Sequence, residues 1–209
     1  MKSTKVREFK QKNRKRPIDI TDIAISKVPR TRIYGFTPEQ NKVIQEEHIK
    51  LLKLAQHLNK ENKSNKMEVG ILIDTHTWED WVINGEKECE VEMKNNPLAL
   101  QVLTTMPKNR LMFMHNHPST GTFSGEDFKT FCNNDSLYMM TVIGNDASVY
   151  ILIKNSNFNM EYALLSYGKL SIKYMKQGHI KDNGTLAIKH ILENANNYGL
   201  TYKKGRSKI

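Results

Sequence analysis

The chain has 209 residues, enough to bury the core of one ordinary domain with an appendage. Lys plus Arg number 32 against 22 Asp plus Glu, and the resulting net charge of +10 favours anionic partners such as nucleic acid or acidic proteins without specifying a fold. Two cysteines, Cys89 and Cys132, are too few for a disulfide framework and lack the CxxC spacing of a thiolate zinc site; no 18-residue apolar run is present, so neither a membrane span nor a secretory signal is visible. A reducing, cytoplasmic setting without membrane contact is expected, although export by a specialised system would leave no such trace.

Residues 1–36 begin with crowded basic residues from Lys2 to Arg16, contain Pro17 and Pro29, and show no sustained periodicity, which predicts a poorly packed basic arm or linker. At Thr37-Pro38 a helix start follows, Thr as N-cap and Pro in the first helical position, and Ile44, Leu51, Ala55 and Leu58 then recur on one face to about Lys60. The polar string 59–66 predicts a loop. Residues 69–73 read as a buried strand, and residues 81–83 with Asn84-Gly85 as the entry to a tight hairpin whose return strand covers 88–93. In that return strand Cys89, Val91 and Met93 would share one face and Glu88, Glu90 and Glu92 the other. A helix over 97–105 precedes an apolar strand at 111–114 that delivers His115 at its end. A helix from Ser124, strands near 138–143 and 149–153, and helices near 160–175 and 185–196 complete an α/β pattern ending in a basic tail, with Lys203, Lys204, Arg206 and Lys208.

Chemistry concentrates in His115-Asn116-His117-Pro118-Ser119-Thr120-Gly121-Thr122-Phe123-Ser124-Gly125-Glu126-Asp127. Histidines two apart on extended chain project to the same side, so both rings can converge on one ion, and a helix starting at Ser124 brings Asp127 round one turn later as a third ligand. Three protein ligands leave a tetrahedral zinc ion a position for water, the mark of a catalytic site. Ser124 and Asp127 also fit a capping box, a purely structural device, and the two roles are compatible. His48, His57, His76, His179 and His190 lack such company and are expected on the surface or in the core. Trp78 and Trp81 flank the expected hairpin and could line a substrate cleft, although packing is the commoner use of aromatics there, and Phe123, Phe128 and Cys132 are read as packing residues.

His-x-His-Pro followed by Ser-x-x-Asp resembles the motif of the JAMM (MPN-plus) zinc metalloproteases, and His115-Asn116-His117-Pro118-Ser119 is particularly similar to the RadC-like and prokaryotic or phage branches. The resemblance covers about residues 67–154. It implies a JAMM-like, cytidine-deaminase-like mixed β-sheet flanked by helices, with residues 37–156 as the metalloprotease domain, 1–36 as the basic arm and 157–209 as a C-terminal helical extension. It further implies Zn2+ held by His115, His117 and Asp127, with Ser124 stabilising an oxyanion. An upstream glutamate would act as general acid/base, and Glu68, leading into the Gly-containing apolar strand Val69-Gly70-Ile71-Leu72-Ile73, matches that context. The implied activity is hydrolysis of a peptide or isopeptide, the substrate being a protein or peptide and, in some branches, a ubiquitin-like protein. The family has seven residues between the second histidine and the serine where this chain has six, residues 118–123, so the loop must be tighter or Ser124 displaced.

Other readings fit less well. In HNH nucleases the three residues are spread over a hairpin and a helix; a cupin would want a glutamate where Gly121 and Thr122 stand; and an amidohydrolase barrel needs about 200 residues after its His-x-His, where only 92 follow His117. The rival from another class is a non-catalytic JAMM-like module whose basic tails make nonspecific contact with nucleic acid or hold a partner protein.

Overall fold

Short-range capping signals set most helix boundaries in the computed structural model, which describes residues 16–91, 93 and 96–205. After a short helix α1 (Asp22–Ser26), α2 (Pro38–Glu61) begins with a complete capping box: the Thr37 hydroxyl accepts from Gln40 N–H and the Gln40 side chain accepts from Thr37 N–H. Asn96 caps α3 (Pro97–Thr105), Ser124 caps α4 (Gly125–Asn133) and Asn159 caps α5 (Met160–Lys176). Helix α6 (Asn183–Glu193) and a 3-10 turn (Ala195–Tyr198) follow. Among the described residues no helix is long and apolar enough to cross a membrane.

Strands β1 (Met67–Asp74), β2 (Asp80–Glu88), β3 (Leu111–His117), β4 (Leu137–Gly144), β5 (Val149–Lys154) and β6 (Leu200–Gly205) form one mixed sheet in the order β2-β1-β3-β4-β5-β6. The central β3–β4 pair is parallel and joined through α4, and every other neighbouring pair is antiparallel. Alternation along the strands sorts side chains to two faces. Leu72, Phe113, Val142 and Leu152 meet Phe128, Phe131, Ile188 and Ile191 of α4 and α6 on one face; Val69, Ile71, Met112 and Met114 meet Ile44, Leu51, Leu52 and Ala55 of α2 on the other. The fold class is thus α/β, a mixed sheet flanked by helices.

Three local expectations are corrected. Asn84-Gly85 does not turn a hairpin, because both residues lie inside β2, whose partner is β1. Glycine is required there by close approach: a Cβ on Gly85 would fall 2.4 Å from the Glu90 carbonyl oxygen and 2.5 Å from that of Glu68. The expected return strand is absent among the described residues, Cys89 is exposed while Met93 is buried, and Glu92 lies outside them. Residues 16–36, expected to be poorly packed, bury Ile20, Ile25, Val28 and Ile33 against the α2 face of the sheet, while Lys2 to Lys15 lie outside the described residues. At the other end Lys203 and Lys204 belong to β6 rather than to a tail, since Leu200 and Tyr202 alternate inward and pair with β5; Arg206 and Lys208 lie outside the described residues.

Candidate metal centre

The site forms where β3 ends and the chain crosses to α4, at the carboxyl end of the parallel pair where α/β sheets open a crevice for ligands. His115 and His117 share the face that carries Phe113 and Leu72, and the His115 ring stacks on Phe113 with centroids 5.1 Å apart. Gly70 pairs directly with His115, and its missing Cβ is what admits the Phe113 ring: a methyl there would lie 2.6 Å from Cε2. The loop from Pro118 to Phe123 is pinned from several sides. Pro118 C=O accepts from Ile18 N–H at 2.8 Å, Thr120 C=O accepts from the Tyr150 hydroxyl at 3.1 Å, and Thr122 Oγ1 lies 3.3 Å from Tyr202 Oη.

Despite the six-residue loop, Asp127 arrives opposite both histidines. Nε2 of His115 lies 3.2 Å from Nε2 of His117 and 3.2 Å from Oδ1 of Asp127, and Nε2 of His117 lies 3.3 Å from Oδ2 of Asp127. Ligand atoms about 2.0–2.1 Å from a tetrahedral zinc ion stand about 3.3–3.4 Å apart; the three residues form a triangle with contacts of that size, the two histidines facing different oxygens of the carboxylate. The capping box coexists with it. Ser124 N–H donates to Asp127 Oδ2 at 2.6 Å and Asp127 N–H donates to Ser124 Oγ at 3.1 Å, which fixes the carboxylate on its helix turn.

In the metal-free cluster the three groups shift in different directions. Burial would raise the Asp127 carboxyl, but the two imidazoles beside it hold it well below the usual range. Burial lowers His115, with Asp127 opposing, so that imidazole favours the neutral form that can ligate. For His117 burial is outweighed by Asp127, Glu68 and a backbone hydrogen bond with Gly121, and the net shift is upward. That backbone bond suits Nδ1–H as donor and leaves Nε2 for the triangle. His115 Nδ1 is buried without a hydrogen-bond partner, so on that side the ring is held by its stack on Phe113.

Glu68 is not an exposed strand-entry residue. It is only 7% exposed, and burial pushes its carboxyl up to about 7, with His117 pulling down and Asp127 and Glu90 adding to the rise. Gly70 faces His115 at the last rung of the β1–β3 ladder, and alternation along β1 puts Glu68, two residues away, on the same face. On its other side the β1–β2 pairing shifts between Met67 and Val69, a bulge of the kind that re-aims side chains beside sites. Ser124 is exposed; its oxygen accepts from Asp127 N–H, which leaves the hydroxyl proton available to another acceptor.

Compared with protein-family models, curated proteins and solved structures, the chain matches none.

The remaining candidates fall as packing residues. Trp81 packs on the α4 side of the sheet, Trp78 packs edge-on to Phe36 on the other, and Phe123, Phe128 and Cys132 are buried. Burial raises the Cys132 thiol to about 12, which leaves it inert. His48 is fully buried, its Nε2 2.8 Å from Thr141 Oγ1. Sequence reasoning missed Gly70, Tyr150 and Tyr202 as supports of the site. Only Gly70 left a local signal, a glycine inside an otherwise apolar strand, which marks close approach.

Proposed function

We propose that the chain is a zinc-dependent peptide or isopeptide hydrolase of the JAMM type, built on a cytidine-deaminase-like variant of the α/β fold. The single observation that carries this function is the convergence of His115 Nε2, His117 Nε2 and the Asp127 carboxylate at 3.2–3.3 Å, with a buried Glu68 beside them. Zinc held there would polarise a scissile carbonyl and bring the pKa of a water near 7. Glu68, whose carboxyl burial raises in the metal-free protein, can accept a proton from the attacking water and return it to the leaving nitrogen. The uncommitted Ser124 hydroxyl proton can donate to the oxyanion of the tetrahedral intermediate. The substrate of this proposal is a protein or peptide, including a chain linked to a ubiquitin-like protein.

The experiment is metal analysis paired with hydrolysis. Protein dialysed against zinc and then against buffer should retain about one equivalent, lose it on His115→Ala, and cleave members of a mixed peptide and isopeptide library. Glu68→Gln should keep the zinc and abolish cleavage. Protein that holds no zinc after this treatment would sink the proposal. The net charge of +10 supports a second reading, a non-catalytic module on nucleic acid; a DNA affinity that falls steeply with salt, without cleavage of any peptide, would favour it.

A further inference from the structure

Asn116 stands between the two histidines and is fully buried on the opposite side of β3, since neighbouring strand residues face opposite ways. Its amide is engaged at both ends. Oδ1 accepts from Val69 N–H at 2.7 Å, and Nδ2 donates to Met67 C=O and to Asn145 Oδ1, each at 3.2 Å. Met67 and Val69 flank Glu68, so one side chain grips the backbone immediately before and after the carboxylate while its own neighbours are His115 and His117.

Both backbone ladders around Glu68 give out at this point. The β1–β3 pairing runs from Asp74↔Leu111 to Gly70↔His115 and stops two residues short of Glu68, and the β1–β2 pairing is displaced by the bulge between Met67 and Val69. Without Asn116 the buried Val69 N–H would lose its partner, a cost of about 1–3 kcal/mol, and nothing in the β1–β3 ladder would fix where Glu68 points. The sense of the amide is itself determined. Asn145, also fully buried, gives its Nδ2 to Ile18 C=O at 2.8 Å, so its Oδ1 must receive Asn116 Nδ2, and flipping either amide would set donor against donor. Asn145 N–H also donates to His117 C=O at 3.1 Å, which ties this pair to the end of β3.

We infer that Asn116 is a positioning residue that sets the placement of the Glu68 carboxyl relative to a metal held by His115, His117 and Asp127, with Asn145 fixing the amide's orientation; this rests on the zinc reading above. An asparagine that merely glued two strands would stabilise the sheet and leave the metal's surroundings unchanged. The two roles separate with cobalt(II) as the probe, because its visible spectrum reports the ligand field and its neighbours directly.

Wild-type protein should bind one cobalt ion with the intense bands of a tetrahedral site, and Glu68→Gln should shift those bands. Asn116→Leu, close in volume but without hydrogen bonds, should reproduce the Glu68→Gln shift with cobalt affinity lowered by no more than about the 10–100-fold typical of supporting residues. The double variant should show no further shift, because Asn116 acts through Glu68 and the effects are not additive. If Asn116→Leu fails to fold, Asn145→Ala carries the same expectations. A folded variant with reduced thermal stability, an unaltered spectrum and an undiminished response to Glu68→Gln would overturn the inference. Failure of the wild type to take up cobalt or zinc would instead overturn the metal reading and this inference with it.

Discussion

Removing the charge of Glu68 should make the metal-free protein more stable at neutral pH. Burial holds this carboxyl at about 7 against 4.5 for a free glutamate, so the folded protein binds its proton more tightly than the unfolded chain does. The stability linked to that proton is complete below about 4.5 and is lost as pH rises through 7. At 1.36 kcal/mol for each pH unit between the two values, keeping Glu68 ionised in the fold costs about 3 kcal/mol at pH 8. His48 slopes the other way: burial lowers it to about 4 from 6.5, so stability falls as pH drops through that interval. The two trends offset each other in the wild type between about pH 4.5 and 6.5 and must be separated by substitution. Urea unfolding in the presence of a chelator, at pH 4 and at pH 8, should show Glu68→Gln near the wild type at pH 4 and about 3 kcal/mol more stable at pH 8, equivalent to roughly 6–12 °C in melting temperature. Equal stability of the two proteins at pH 8 would refute the burial of an ionisable Glu68, and with it the acid/base role.

Two further perturbations test the metal site and its support. Asp127→Asn preserves shape but removes the only negative ligand, and zinc affinity measured by chelator competition should fall by more than the 10–100-fold that supporting residues cost; an unchanged affinity would place the ion elsewhere. Gly70→Ala puts a methyl 2.6 Å from Phe113 Cε2, and because that ring stacks on His115 the variant should lose about 1–3 kcal/mol of stability to overpacking and bind zinc more weakly. Normal zinc affinity in a destabilised Gly70→Ala would uncouple Phe113 from the site.

Legibility followed the range of the interactions. Thr37, Asn96, Ser124 and Asn159 cap helices with partners three residues away, so those starts could be read from the sequence alone. His115 and His117 share one face through strand alternation, and Asp127 joins them through one helical turn, so the triangle too is local apart from its loop. Glu68 is different, because its place depends on the β1–β3 register and on a bulge, both tertiary. Asn84-Gly85 misled for the same reason: the pair that commonly turns a hairpin here serves a close backbone approach inside β2, and nothing nearby in sequence distinguishes the two uses. The scattered Ile20, Ile25, Val28 and Ile33 gave no periodicity, since irregular chain held by a helix and a sheet needs none.

Ser124 allows its two roles to be weighed separately. As an N-cap its hydroxyl oxygen accepts from Asp127 N–H; as an oxyanion donor it would use the proton that the cap leaves uncommitted. Capping energetics distinguish substitutions that catalysis does not. Ser→Ala at an N-cap costs about 1 kcal/mol, whereas Ser→Gly costs only a few tenths, while either removes the hydroxyl donor, whose loss at an oxyanion site costs about 10²–10³ in kcat. Ser124→Gly should therefore unfold near the wild-type denaturant midpoint and hold zinc, yet turn over a cleavable peptide at least about a hundredfold more slowly, with Ser124→Ala equally slow and less stable. Ser124→Thr keeps both cap and donor and should recover most of each. If Ser124→Gly cleaved at the wild-type rate, the serine would be a cap and nothing more, and the oxyanion would have to find its donor elsewhere on the rim of the site.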